Sequence, residues 1–230
     1  MQQEIRTIEL GGVSCYLVAG RDGFVLVDTG IFAKRSAVEK ALAGAGCEPG
    51  SLRLIILTHG HVDHTDNCAY LRDRLGAPVA MHRGDAAMVA RDDAPWDRTA
   101  RPEKVPISGR IITLVGGLVL LFSGRRGKFD GFMPDICLED GQDLSAYGLD
   151  AKVLHLPGHS QGSIGILTAG GDLFCGDLLM NMFKPARHFL ILDRASFEAS
   201  LARVLAMDVH TVYPGHGKPF PMARLTKSRA

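Results

Sequence analysis

Six consecutive positions, His59-Gly60-His61-Val62-Asp63-His64, hold three of the nine histidines of this chain and an aspartate. They stand one residue after the apolar run Leu52-Arg53-Leu54-Ile55-Ile56-Leu57. An aliphatic, β-branched run of that length, ended by Thr58 and Gly60, reads as a buried strand opening into a loop. Side chains at i and i+2 can reach one point, and those at i+4 and i+5 a neighbouring one. That spacing suits two adjacent metal ions better than one. A surface loop that is merely rich in histidine is the competing reading, and the concentration of histidines in one place counts against it.

The rest of the composition narrows the class. At 230 residues with 46% hydrophobic content and a mean hydropathy of +0.08, the chain can build one domain with a sizeable core. Lys plus Arg number 26 against 25 for Asp plus Glu, so nothing favours bulk electrostatic binding of nucleic acid or anionic membrane. A small-molecule substrate is the expected partner, with a homodimer left open. The first residues, Met1 to Arg6, lack the basic-then-apolar pattern of a signal peptide. Cys15, Cys47, Cys68, Cys137 and Cys175 are odd in number and lack CxxC spacing. They read as free, mostly buried thiols, and the expected location is cytoplasmic. Residues 111–122 are almost unbroken apolar but fall short of the ~20 residues that span a bilayer, so no membrane span is expected.

Along the chain, strands are expected at 14–18, 24–28, 54–58, 78–82, 152–156, 163–168, 172–175 and 210–213, with a hairpin turn over 20–23 and another at Gly170-Gly171. Helices are expected at 36–44, with Ser36 as N-cap, and at 66–75, 85–90 and 196–206. Residues 91–135 differ. They contain Pro95, Trp96, Pro102, Pro106, the apolar run, and Arg125, Arg126 and Lys128. This stretch reads as an insertion within a single domain covering 1–230. Its apolar run is then a lid over an acyl pocket, a buried helix, or a contact with a membrane or partner.

Three later segments each set a metal-competent residue behind a glycine after an apolar strand: Leu156-Pro157-Gly158-His159, Phe174-Cys175-Gly176-Asp177 and Tyr213-Pro214-Gly215-His216. Glycine there allows close approach of backbone to a metal. Together with Asp28-Thr29-Gly30, these residues and the histidine cluster resemble the motif series of the metallo-β-lactamase superfamily, over residues 13–219. The resemblance implies an α/β fold, a four-layer αββα sandwich with its site along one sheet edge. It implies that His59, His61 and His159 hold one metal, that Asp63, His64 and His216 hold a second, and that Asp177 bridges them. Asp28 would accept the remaining N–H of a ligand histidine and fix its tautomer, with a helix-capping or turn aspartate as the competing reading. Cys175 and Cys68 read as core residues. His82, His155, His188 and His210 lack a glycine-loop setting and read as structural or surface histidines. His188 also shares a site-flanking stretch with Lys184 and Arg187, and these, with Lys218, are the candidate substrate contacts.

The implied activity is metal-dependent hydrolysis. A hydroxide bridging two divalent ions, zinc first with iron or manganese as alternatives, would attack an ester, lactone or thioester carbonyl, with Asp63 and Asp177 as catalytic residues. Departures from sub-family patterns point the same way. Asp177 stands where β-lactamases of the superfamily carry a cysteine or no bridge. Gly60 stands where glyoxalase II carries histidine, and only 14 residues follow His216, too few for that enzyme's helical domain. His61 replaces the glutamate of redox-active diiron relatives. The rival readings are a phosphodiesterase or nuclease of the same superfamily, a mononuclear iron persulfide dioxygenase, and a non-catalytic binding protein.

Overall fold

Period-two burial along the strands sets the architecture. Val25 and Val27 face one apolar cluster while Leu26 faces another, and Leu54 and Ile56 alternate with Ile55 and Leu57 in the same way. A sheet with two apolar faces must be covered on both. The structure is a computed structural model describing residues 3–90 and 129–227, the side chains of 226 and 227 excepted.

The first sheet holds β1 (Ile5–Glu9), β2 (Ser14–Gly20), β3 (Gly23–Val27), β4 (Leu52–Ile56), β5 (Val79–His82) and β6 (Ile136–Leu138), in sequence order. The first three pair antiparallel and the rest parallel. Parallel neighbours need crossovers. These are α1 (Arg35–Gly44) between β3 and β4, then α2 (Val62–Thr65) and α3 (Cys68–Leu75) between β4 and β5, with α4 (Arg83–Val89) following β5. The second sheet contains β7 (Ala151–His155), β8 (Ile164–Thr168), β9 (Asp172–Asn181), β10 (Ala186–Arg187), β11 (Thr211–Gly217) and β12 (Phe220–Pro221). Its order is β12-β11-β9-β8-β7, with β10 on β9. Helices α5 (Arg194–Leu205) and α6 (Met222–Lys227) complete the chain.

Tyr16, Val25, Val27, Leu54 and Ile56 of the first sheet meet Val153, Ile164, Ile166 and Phe174 of the second between the layers. Val38, Leu42 and Leu71 cover the outer face of the first sheet, and Phe197, Leu201 and Val204 cover that of the second. The result is the expected αββα sandwich. Tyr16 also ties the sheets together directly. Its hydroxyl donates to Pro214 O at 2.6 Å, and its ring packs on Phe174 and Tyr213, each 5.4 Å away.

Several local expectations change. Ser36 does not cap α1: the chain enters through a 3₁₀ turn, Phe32–Lys34, so the helical backbone is already running at Arg35. The histidine cluster is not all loop, because Val62–Thr65 forms a helical turn carrying Asp63 and His64. The expected helix at 66–75 starts only at Cys68, since the Asp66 and Asn67 side chains are bound to the chain around residues 29–32. Strands β1, β6, β10 and β12 and helix α6 were not expected. Most of the stretch 91–135, expected as an insertion, lies outside the described residues, including residues 111–122, Arg125, Arg126 and Lys128. Where description resumes, Phe129 and Phe132 pack into the cluster that contains Val89. No helix among the described residues is long and apolar enough to cross a membrane.

Tyr16→Phe leaves the buried Pro214 carbonyl without its partner. A loss of about 1–2 kcal/mol in a denaturant titration is expected, and an unchanged midpoint would remove the hydroxyl from the account of how the sheets are joined.

Candidate metal centre

The site grows from the ends of β3 and β4. Asp28, just past β3, is the one non-glycine among the described residues in the left-handed region, at φ 59, a conformation that costs roughly 1–2 kcal/mol. It is held there by its own amide, which donates to Ile56 O at 2.8 Å. The carboxylate accepts Thr58 N–H at 2.8 Å on Oδ1 and His64 Nδ1–H at 2.9 Å on Oδ2. The amide and hydroxyl of Thr29 both donate to His64 O at 2.8 Å. The short helix α2 is thereby fixed against the end of β3.

Three imidazole nitrogens converge beside it. His59 Nε2 lies 3.1 Å from His61 Nδ1 and 3.2 Å from His159 Nε2, and the last two are 2.9 Å apart. The other nitrogen of His159 donates to Leu190 O at 2.8 Å. That of His59 donates to Thr58 Oγ1 at 3.1 Å, whose own proton is directed to Asp28. The converging Nε2 atoms are therefore bare. Burial, with the neighbouring histidines, holds His59 well below the ordinary imidazole range, and burial lowers His61 and brings His159 down to about 4. Facing lone pairs repel unless a cation lies between them, and ligands about 2.0–2.1 Å from a tetrahedral zinc would stand roughly 3.3 Å apart.

A second group adjoins the first. His216 Nε2 lies 3.4 Å from Asp63 Oδ2 and 3.2 Å from Asp177 Oδ2, and His64 Nε2 lies 3.5 Å from Asp177 Oδ1. Asp177 Oδ2 is also 3.3 Å from His159 Nε2, so this carboxylate touches both groups. His64 Nε2 and Asp177 Oδ1 are buried without a hydrogen-bond partner. His216 Nδ1–H donates to Gly12 O at 3.0 Å. Burial opposes charge on His64, but Asp177, Asp28 and Asp63 outweigh it and raise the group to about 9. The same balance raises His216 and holds Asp177 and Asp63 well below the usual carboxylate range. All seven histidines and aspartates expected from the sequence fall in these two groups, and the donor set fits divalent metal ions.

The glycines before Asp177 and His216 do not mark strand ends. Asp177 and His216 lie inside β9 and β11, not past their ends. These strands pair through register shifts around Pro214, and Gly176 takes φ 49, so the turn signals belong to a bulged ladder. A Cβ on Gly158 would strike Phe197, and one on Gly176 would strike Thr58. Only Gly215 makes room for the cluster itself: a Cβ there would overlap Asp177 Oδ1 and His64 Cε1.

The candidate substrate contacts separate. Arg187 is paired with Glu198 of α5, which draws its charge away from the cluster. Lys184 and Lys218 are exposed. His188 is neither a surface histidine nor a contact with open solvent: it is 3% exposed, with Nε2 3.4 Å from Asp177 Oδ2. Cys175 and Cys68 are buried core thiols, and burial pushes Cys175 up to about 12. His82 and His155 stack on each other away from the cluster, at 4.0 Å.

Asp85 was missed. Fully buried at the start of α4, it accepts Gly60 N–H at 2.9 Å, the Ser160 hydroxyl at 2.6 Å and Gly162 N–H at 2.7 Å. It thereby ties the loop of His59 and His61 to that of His159. A lone aspartate after a strand carries no sequence signal of such a role.

Comparison with known proteins agrees with the geometry. The sequence profile described as the Metallo-beta-lactamase superfamily matches residues 8–216, and the chain belongs to that superfamily. Human "Metallo-beta-lactamase domain-containing protein 1" is 30% identical over 224 residues, covering 93% of this chain and 65% of the human protein, so the chain spans about two thirds of that relative. The Bos taurus acyl-coenzyme A thioesterase MBLAC2 is 27% identical, covering 91% of this chain and 75% of its own length. Among solved structures, a metallo-beta-lactamase family protein of Thermus thermophilus superposes with a TM-score of 0.70 at 26% identity, covering 99% of this chain and 78% of its own. Another, solved in a di-iron-bound form, gives 0.68 at 26% identity, with 97% and 96% covered.

Two outcomes are expected. Gly215→Ala, which alters no ligand, lowers the metal content per chain measured by elemental analysis, and an unchanged content would count against the packing described. For the chelator-stripped protein, the melting temperature peaks near pH 6.5, falling as pH rises towards about 9 and as it drops towards about 4. His64 is raised in the folded state, so its contribution is present below the ordinary value of 6.5 and lost as pH climbs through about 9. His159 is lowered, so its contribution is present above 6.5 and lost as pH falls towards about 4. A melting temperature flat from pH 5 to 10 would contradict both.

Proposed function

We propose that the chain is a two-metal hydrolase acting on a thioester, ester or lactone, with an acyl-coenzyme A thioester the first substrate class to test. The observation that carries this reading is Asp177. Its carboxylate lies between a group of three converging imidazole nitrogens and a second group of two histidines and an aspartate. The name of the bovine relative favours the thioester. His59, His61 and His159 would hold one ion and Asp63, His64 and His216 the other, with Asp177 shared. Bound divalent ions supply a water of lowered pKa and positive charge beside a carbonyl oxygen.

The chain's own residues do the rest. Asp63 is the more accessible of the two site carboxylates, its side chain 22% exposed against 3% for Asp177. It can take a proton at Oδ2 and return it to the leaving group. Asp177 stays buried and holds the two groups in register. Asp28 keeps His64 in the tautomer that leaves Nε2 bare, and Leu190 O does the same for His159. Imidazole and carboxylate donors suit zinc and also iron, and a relative has been solved with two irons.

The test joins elemental analysis to a panel of acyl-coenzyme A, lactone and bis-aryl phosphate substrates. Two metal equivalents with thioester or lactone turnover are expected, and Asp63→Asn lowers kcat by about 10²–10⁴. Turnover of the phosphodiester alone would move the chain to the nuclease-like branch. One equivalent of iron with oxygen uptake would end the hydrolase reading.

A further inference from the structure

His188 is a residue to which the two-metal reading gives no task. Its ring stacks on Phe189, with centroids 4.9 Å apart, and stands between His159 at 4.8 Å and His216 at 5.5 Å, one histidine from each group. By distance alone it could be an eighth ligand, since His159, Asp177 and His188 offer donor atoms close enough to hold an ion. A ligand needs a bare Nε2, whereas a donor needs a proton there.

The main chain distinguishes the two. Leu190 N–H donates to His188 Nδ1 at 3.2 Å, so that nitrogen carries no proton and the neutral ring has its one proton on Nε2. Leu190 C=O accepts the Nδ1–H of His159 at 2.8 Å, which leaves the Nε2 of that ring bare. One residue thus sets opposite tautomers on two neighbouring histidines. For His188 to ligate, its proton would have to move to Nδ1, against the Leu190 N–H, placing two donors face to face.

Resting on the two-metal reading, we propose that His188 is a positioning residue and not a ligand: it presents Nε2–H to Asp177 Oδ2 and orients the carboxylate shared by both groups. At 3.4 Å the contact is an attraction between an N–H dipole and a carboxylate, longer than an ordinary hydrogen bond. Its direction is nevertheless set, because the ring is held by Leu190 on one side and by Phe189 on its face. Partners of this kind, which orient a ligand without touching the metal, typically change metal affinity by about 10–100-fold when removed.

The matched pair His188→Gln and His188→Met tests this, with His159→Ala for comparison. Glutamine keeps an N–H near the Nε2 position, while methionine fills similar space without one. Metal content is read by elemental analysis, affinity by competition with a chelator, and the ligand set by the visible spectrum of the cobalt-loaded protein. Expected are two equivalents and an unchanged cobalt spectrum in both His188 variants, affinity reduced about 10–100-fold in His188→Met, and recovery to within a few-fold in His188→Gln. His159→Ala loses an equivalent. Loss of an equivalent in both His188 variants would make His188 a ligand. Equal affinity in the methionine variant and the wild type, or an equal loss in both variants, would reduce it to packing. A wild-type chain binding fewer than two equivalents would overturn the two-metal reading itself, whereas two equivalents in the wild type with a changed count in the variants overturns only the role given to His188.

Discussion

Three imidazole nitrogens within 3.2 Å of one another, two of which, Nε2 of His59 and of His159, carry no proton, form the contact around which the rest of this chain is arranged. Left alone, the lone pairs repel, and burial denies them the water or protons that would relieve the repulsion. The arrangement persists because the rings are held from behind. Thr58 holds His59, and Leu190 holds His159. Asp85 joins the two loops that deliver them. The strained Asp28 belongs to the same scaffold, since its left-handed backbone aims one carboxylate at both Thr58 and His64. Strain at one residue is offset by order at several.

The sandwich explains why such a site can be built. Asp28 and the residues from Thr58 to His64 follow neighbouring strands of the first sheet, while Asp177 and His216 lie in neighbouring strands of the second. Tyr16 and the bridge between Val13 and His216 bring the two sheets together at that edge. The centre therefore spans the inter-sheet boundary, and its geometry depends on the packing of Tyr16, Phe174 and Tyr213 as much as on the converging histidines and aspartates.

Much of this was legible in the residues. The apolar runs marked eight of the strands and four of the helices, the resemblance implied the sandwich, and the HxHxDH cluster with Gly-flanked His159, Asp177 and His216 named the side chains that converge. What stayed hidden shares a cause. The short strands β10 and β12 depend on their neighbours and have no periodicity of their own. Gly176 looked like a loop glycine because a bulge in a ladder uses the same residue. Asp85 and His188 act through partners distant in sequence, such as Gly162 and Asp177, and the spacing of neither residue records such a meeting. Arg187 looked available because Glu198 lies on a different element.

The double role of Leu190 has a consequence for heredity. The tautomers of His159 and His188 are written in a peptide group, not in a side chain. Codon changes at position 190 can drift through most amino acids without disturbing that instruction, and proline alone would erase half of it, by deleting the N–H and sparing the carbonyl. The instruction does not depend on which side chain stands at position 190, because the backbone at that point keeps one histidine as a donor and its neighbour as an acceptor.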